Sequence, residues 1–185
     1  MERYKSCCFI GHREINITEE LKISLQNSIE DLIESHNVRE FLFGSRSEFN
    51  NLCHSIVTEL KEKYPNIKRV GYSCKHESCV LERDREELEK VYKKVVNKDV
   101  HMLGFEEEIE HKTKYTAGKA SYIERNYAMI DDSDFCVFYF IEDYNPPIRR
   151  YSKRGIGSYQ PKSGTRLAFQ YAKRKKKTII NVIKN

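Results

Sequence analysis

The sequence predicts a doubly wound α/β fold: three layers, with a mostly parallel sheet of about six strands between helices. Short apolar runs alternate with stretches of helical periodicity along the chain. The run 135–141 is apolar at every position rather than at alternate ones, as in a strand buried on both faces. Between the runs, apolar residues recur at i, i+3 and i+4, the spacing of one helix face.

The elements follow in order. Strands are expected at 6–10, 40–43, 68–72, 100–105, 135–141 and 178–183. One helix presents Leu21, Leu25, Ile29, Leu32 and Ile33, with Thr18 ahead of it as a cap. A second presents Phe49, Leu52, Cys53, Ile56, Val57 and Leu60 behind Ser47. A third carries Leu88, Val91, Tyr92, Val95 and Val96. The segment 121–131 is amphipathic, with Arg125 and Asn126 set against a face of Ile123, Tyr127 and Ile130. The last helix opens at Ser163 and carries Leu167, Ala168, Tyr171 and Ala172. Residues 142–163, with Pro146 and Pro147, read as one long unstructured connection.

A length of 185 residues fits a single domain, 1–185, with one well-buried core. Hydrophobic content of 39% and charged content of 33% describe a soluble protein with well-solvated helices. There is no apolar run of the ~18 residues that a membrane span needs, and no charged-then-apolar leader. The chain reads as cytoplasmic, with no membrane partner. Cys7, Cys8, Cys53 and Cys136 fall on apolar faces as small hydrophobes. Cys74, His76 and Cys79 cluster, but tetrahedral zinc takes four ligands and no second pair has suitable spacing, so no metal is expected. No cofactor is expected either.

The net charge of +5 is concentrated in two places. Arg149, Arg150, Lys153, Arg154 and Lys162 lie in the long connection with Tyr144, Tyr151 and Tyr159. That loop is either a lid, cations on phosphates and tyrosines on a base, or plain surface. The run 173–177 ends the last helix, where cations complement the dipole. Nucleic acid is a less favoured partner for it, because no recognised motif surrounds the charge.

In an open α/β sheet, ligands bind beyond the carboxyl ends of the strands, where the strand order switches. The turns to watch are Gly11-His12-Arg13, Gly44-Ser45-Arg46, Ser73 to Cys79 and the loop after Ile141. Glycine permits a close backbone approach, and the arginine fork suits a phosphate or carboxylate. Ordinary solvated turns are the alternative. Ser163-Gly164-Thr165 opens a helix, whose unpaired N–H groups and dipole favour an anion. A plain cap is the alternative there.

Two separated motifs carry a family resemblance: Arg125-Asn126-x-x-Met129 ending in Ser133-Asp134 ahead of an apolar strand, then Ser163-Gly164-Thr165-x-x-Ala168-x-x-x-Ala172. In this order they resemble the SLOG superfamily of Rossmann-like nucleotide binders. The opening Cys8-Phe9-Ile10-Gly11-His12-Arg13 is similar to its small stand-alone YpsA-like members. The resemblance runs from the first strand to Val182. It implies a Rossmann-like fold and a nucleotide, nucleotide-derived or sugar-phosphate ligand. The site residues it implies are Gly11, His12, Arg13, Gly44, Ser45, Arg46, Ser73, Arg125, Asn126, Ser163, Gly164 and Thr165.

The chain departs from the LOG phosphoribohydrolases of that superfamily at the residue that matters for hydrolysis. Their motif ends in a glutamate that falls here on Ala168, and Asn126 replaces a lysine. Splitting an N-glycosidic bond passes through an oxocarbenium-like centre that a carboxylate stabilises. The YpsA-like turn likewise ends in aspartate where this chain has Asn50. The sequence reading is therefore a nucleotide binder, a sensor in character. The alternatives are a phosphoribohydrolase with a displaced acid and a single-stranded nucleic-acid-binding accessory protein. A homodimer is implied by family analogy alone.

Overall fold

The computed structural model describes residues 3–44, 47–74, 104–111, 119–146, 149–150, 158–159 and 163–183. In chain order the elements are β1 (Lys5–Gly11), α1 (Glu19–Glu34), β2 (Val38–Phe43), α2 (Glu48–Leu60), β3 (Lys68–Cys74), β4 (Glu107–His111), α3 (Lys119–Asp131), β5 (Phe135–Tyr139), β6 (Arg149–Arg150), β7 (Ser158–Tyr159), α4 (Gly164–Arg174) and β8 (Thr178–Asn181). The predicted helix around Leu88 lies outside the described residues, as do Ser45, Arg46, His76 and Cys79.

Six strands form one sheet in the order β4-β3-β2-β1-β5-β8, and every neighbouring pair is parallel. The pleat divides each central strand between two cores. Cys7, Phe9, Phe41, Phe43, Val137 and Tyr139 face α1 and α2, which bury the leucine and isoleucine stripes read from the sequence. Cys8, Ile10, Leu42, Val70, Cys136 and Phe138 face α3 and α4. The architecture is thus a doubly wound, Rossmann-like sandwich. Cys7, Cys8, Cys53, Cys74 and Cys136 are all buried and free, and burial pushes the Cys7 and Cys53 thiols up, so they stay protonated.

The helix starts are capped as their sequences require. Thr18 Oγ accepts from the Leu21 N–H at 3.2 Å, and Ser47 Oγ from the Asn50 N–H at 3.1 Å. At its other end, α4 closes with Lys176 at a φ of 55°, the Lys177 N–H donating to Ala172 O and the Lys176 N–H to Lys173 O.

Four expectations need correction. Of the strand expected at 100–105, residues 100–103 lie outside the described residues, and Gly104 and Phe105 are not in a strand but precede β4 at Glu107–His111. As an edge strand, β4 meets solvent and reads polar, whereas Phe105 is apolar because it covers Gly71: a Cβ there would sit 2.7 Å from the Phe105 ring. The strand expected through residue 141 stops at Tyr139, since side chains take over the next hydrogen bonds, and β8 ends at Asn181 instead of 183. The connection 142–163, read as unstructured, contains an antiparallel ribbon pairing Arg149 with Tyr159 and Arg150 with Ser158. Finally, α3 buries Ser121, Arg125, Met129 and Ile130, not a face of Ile123 and Tyr127.

Candidate functional site

β1 is followed in space by β2, β3 and β4 on one side and by β5 and β8 on the other. The chain leaving β1 enters α1 on one face, while the chain leaving β5 reaches α4 on the opposite face. The crevice of such a fold therefore opens above the carboxyl ends of β1 and β5. Around it the structure gathers the end of β1, the end of β2, the first turns of α3 and α4, and the segment after β5.

The β1 end is pinned from below. Gly11 packs directly on α2: a Cβ there would lie 2.4 Å from the Phe49 ring. Its role is close packing of strand on helix. The Arg13 carbonyl accepts from the Glu48 N–H at 2.8 Å, and the Glu48 carboxylate accepts from the Ile15 N–H at 2.9 Å. These two bonds fix the turn on α2 and leave the Arg13 side chain exposed.

His12 points inward. It is only 2% exposed, and its Nε2 accepts from the Ile141 N–H at 3.1 Å, which makes it the Nδ1–H tautomer. Burial lowers its pKa to about 4, so the ring is neutral near pH 7. Tyr144 packs on it at 4.0 Å between ring centres. The imidazole thus clamps the chain leaving β5 to the end of β1.

Asn181 completes that clamp, and no sequence signal pointed to it. Its amide donates to Phe140 O and accepts from the Phe140 N–H, each at 3.0 Å, extending the β5–β8 ladder with a side chain. Arg166 of α4 donates to the Glu142 carbonyl. Together they hold residues 140–144 from three directions.

At the end of β2, Asn50 is a bridge. Its Nδ2 donates to Phe9 O at 3.0 Å and its Oδ1 accepts from the Gly44 N–H at 3.3 Å, joining β1 to β2. A carboxylate has no proton to give Phe9 O, so this bridge requires an amide. Gly44 lies directly against α3: a Cβ there would sit 2.4 Å from Met129 Sδ and 2.9 Å from Arg125 Nε. Arg125 is 3% exposed, with Tyr122 at 5.2 Å from its guanidinium carbon. This buried, permanently charged group stands over the β2 end. Ser121 is buried one turn earlier, and its carbonyl faces the Cys74 thiol at 3.4 Å at the end of β3. Ser73 is half-buried beside it, and Asn126 is half-buried on α3.

α3 and α4 run side by side in register. Tyr127 stacks on Tyr171 at 3.9 Å and 9°, and one turn on Lys175 pairs with Asp131 at 3.0 Å. The same offset places Thr165 level with Ser121, so both helices present their first turns at the same rim. At that rim Ser163 Oγ caps α4 by accepting from the Arg166 N–H at 3.3 Å, and Thr165 is buried. Gly164 differs from Gly11, Gly44 and Gly71: a Cβ added to it meets nothing within 4 Å. Among the described residues, no neighbour requires glycine there.

Ala168 is 0% exposed where α4 lies against the sheet, and Ala172 repeats the small contact one turn later. A carboxylate at this position would therefore lie inside the helix–sheet contact. Among the described residues, no group of three or more His, Cys, Asp or Glu side chains is placed to hold a metal ion, and no helix is long and apolar enough to cross a membrane.

No protein-family model matches the chain, and no curated protein matches it in sequence. Its structure is similar to that of DNA processing protein A from Helicobacter pylori, whose single-stranded DNA binding mode has been described, with a TM-score of 0.51 at 15% identity. The match covers 95% of this chain and 63% of that one, so this chain spans under two thirds of that protein's length. At this identity the likeness is one of fold: the Rossmann-like sheet shared with DNA processing protein A.

Proposed function

We propose that this chain is a SLOG-type protein of the YpsA-like branch that binds a nucleotide or nucleotide-derived phosphorylated ligand, in the manner of a sensor. The observation that carries the reading is Gly164. Gly11, Gly44 and Gly71 are explained by side chains packed against them, whereas Gly164, between a capping serine and a buried threonine, has no described residue packed against it. A helix start without a side chain, facing a crevice, is a phosphate seat: its N–H groups and dipole attract an anion. Arg125 on the neighbouring helix supplies fixed positive charge at the same rim, with Arg13 exposed beside the crevice.

Phosphoribohydrolase chemistry is the weaker reading, because a carboxylate at Ala168 would face the sheet and not the rim. Release of free base from nucleoside monophosphates would restore it. The binding reading is tested by calorimetric titration with nucleoside monophosphates, with a short DNA oligonucleotide as second arm, since the structural neighbour binds single-stranded DNA. Thr165→Asp places a negative charge in the phosphate seat, yet an acid in the first turn favours the helix itself. Saturable mononucleotide binding lost in Thr165→Asp is expected. Equal affinity in both proteins overturns the assignment.

A further inference from the structure

The strand-end rim also carries exposed apolar groups that a phosphate seat does not use. Tyr122 is 46% exposed and Ile141 38%. Single exposed apolar side chains are ordinary on a protein surface, so their position decides what they mean. Tyr122 stands seven residues before Met129, two turns back along the same face of α3. Met129 is buried at the β2 end, where its Sδ would lie 2.4 Å from a Cβ on Gly44. Seven helical residues advance about 10 Å, so Tyr122 overhangs the strand ends on the very face that the following turns bury. Ile141 leaves β5 at the same end of the sheet, its N–H held by His12.

The Tyr122 ring is not loose. The Arg125 guanidinium carbon lies 5.2 Å from its centre, a cation–π contact with a group that is itself only 3% exposed. A ring oriented in advance and half in solvent over a crevice suits a flat aromatic partner, because stacking then adds affinity with little ordering cost. Packed helices such as α3 and α4 stand about 8–10 Å apart, a spacing that a ribose can bridge between phosphate and base. We propose that Tyr122 is the base platform of this site, so that the ligand is a nucleoside phosphate with its base on Tyr122 and its phosphate at the start of α4. This inference rests on the phosphate seat proposed above and adds a ligand class to it: a ribose phosphate without a base lacks the stacking partner. The larger face of a purine stacks better than a pyrimidine.

The test is calorimetric titration of the full chain with adenosine monophosphate, cytidine monophosphate and ribose 5-phosphate. Adenosine monophosphate should bind about tenfold or more tighter than the ribose phosphate, with the pyrimidine between them. Tyr122→Ala should erase that ratio while leaving the ribose phosphate affinity unchanged, and Tyr122→Phe should restore it. Thr165→Asp should weaken all three ligands. Because the chain contains no tryptophan, Tyr122→Trp gives a single indole reporter, which stacking of the purine should quench and the ribose phosphate should not. Circular-dichroism melts matching wild type verify that these exposed-site variants fold. Equal wild-type affinity for adenosine monophosphate and ribose phosphate, or a wild-type ratio in Tyr122→Ala, overturns the platform and leaves the phosphate seat standing. A wild-type chain that binds none of the three overturns the seat and the platform together.

Discussion

The two helical layers of this protein bury different chemistry. Against one face of the sheet, α1 and α2 bury Leu21, Leu25, Ile29, Leu32, Phe49, Ile56 and Val57, an almost wholly apolar set. Against the other, α3 and α4 bury Ser121, Arg125 and Thr165 alongside Met129, Ile130 and two alanines. Burying apolar surface stabilises at roughly 25 cal/mol per Å², whereas burying a guanidinium costs free energy unless something answers its charge. The first layer is there for stability. The second gives up some apolar contact to set polar groups at a rim, and departures of that kind mark functional regions.

The sharpest way to break the comparison is Ala168→Glu. On the α4 contact a carboxylate has neither room nor solvent, so we expect a loss of about 3 kcal/mol or more in urea unfolding and no gain of glycosidic cleavage. Near-wild-type stability would mean α4 is less closely packed than described. Asn50→Asp comes next. It removes the donor to Phe9 O and buries a negative charge beside that carbonyl, at an expected cost of about 2–3 kcal/mol. Asn50→Asp unfolding at the wild-type midpoint would remove Asn50 from its bridging role.

Gly164→Ala separates rim from core. The new methyl meets no atom of the described residues, so stability should hold or rise by up to about 1 kcal/mol. Mononucleotide affinity should fall about tenfold or more if phosphate sits on that turn. Unchanged affinity would return Gly164 to a capping role. The pH response should be gentler. His12 and His54 are each held by burial at about 4, against 6.5 for a free imidazole. Between those values the unfolded chain takes up protons that the folded chain refuses, so stability is full above pH 6.5 and declines as pH falls toward 4. His12→Gln should flatten that decline in urea midpoints measured across the range, and an unaltered profile would contradict the buried neutral imidazole.

Sequence reasoning read the first layer well because its signal is periodic hydrophobicity, which follows directly from burial. It set the caps at Thr18, Ser47 and Ser163 for a similar reason, each being a local hydrogen bond three residues long. It misread the buried face of α3 by giving it to Ile123 and Tyr127, whereas Arg125 lies inward beneath Tyr122 and against Gly44. Nothing in a linear pattern distinguishes the two orientations. It missed β4 because an edge strand need not be apolar, and Asn181 because its bonds reach 41 residues back along the chain. Gly11 and Gly44 were legible as close approaches, but the partner in each case is a side chain of a neighbouring helix.

The central claim is that the open helix start at Gly164 is a ligand seat. Native mass spectrometry of protein taken directly from cells, wild type beside Thr165→Asp, tests it most directly. A wild-type mass excess that fragments as a nucleotide or sugar phosphate, absent from the variant, is expected. The same adduct on both proteins, or a wild-type chain that stays bare and takes up no nucleotide when one is added, would contradict it.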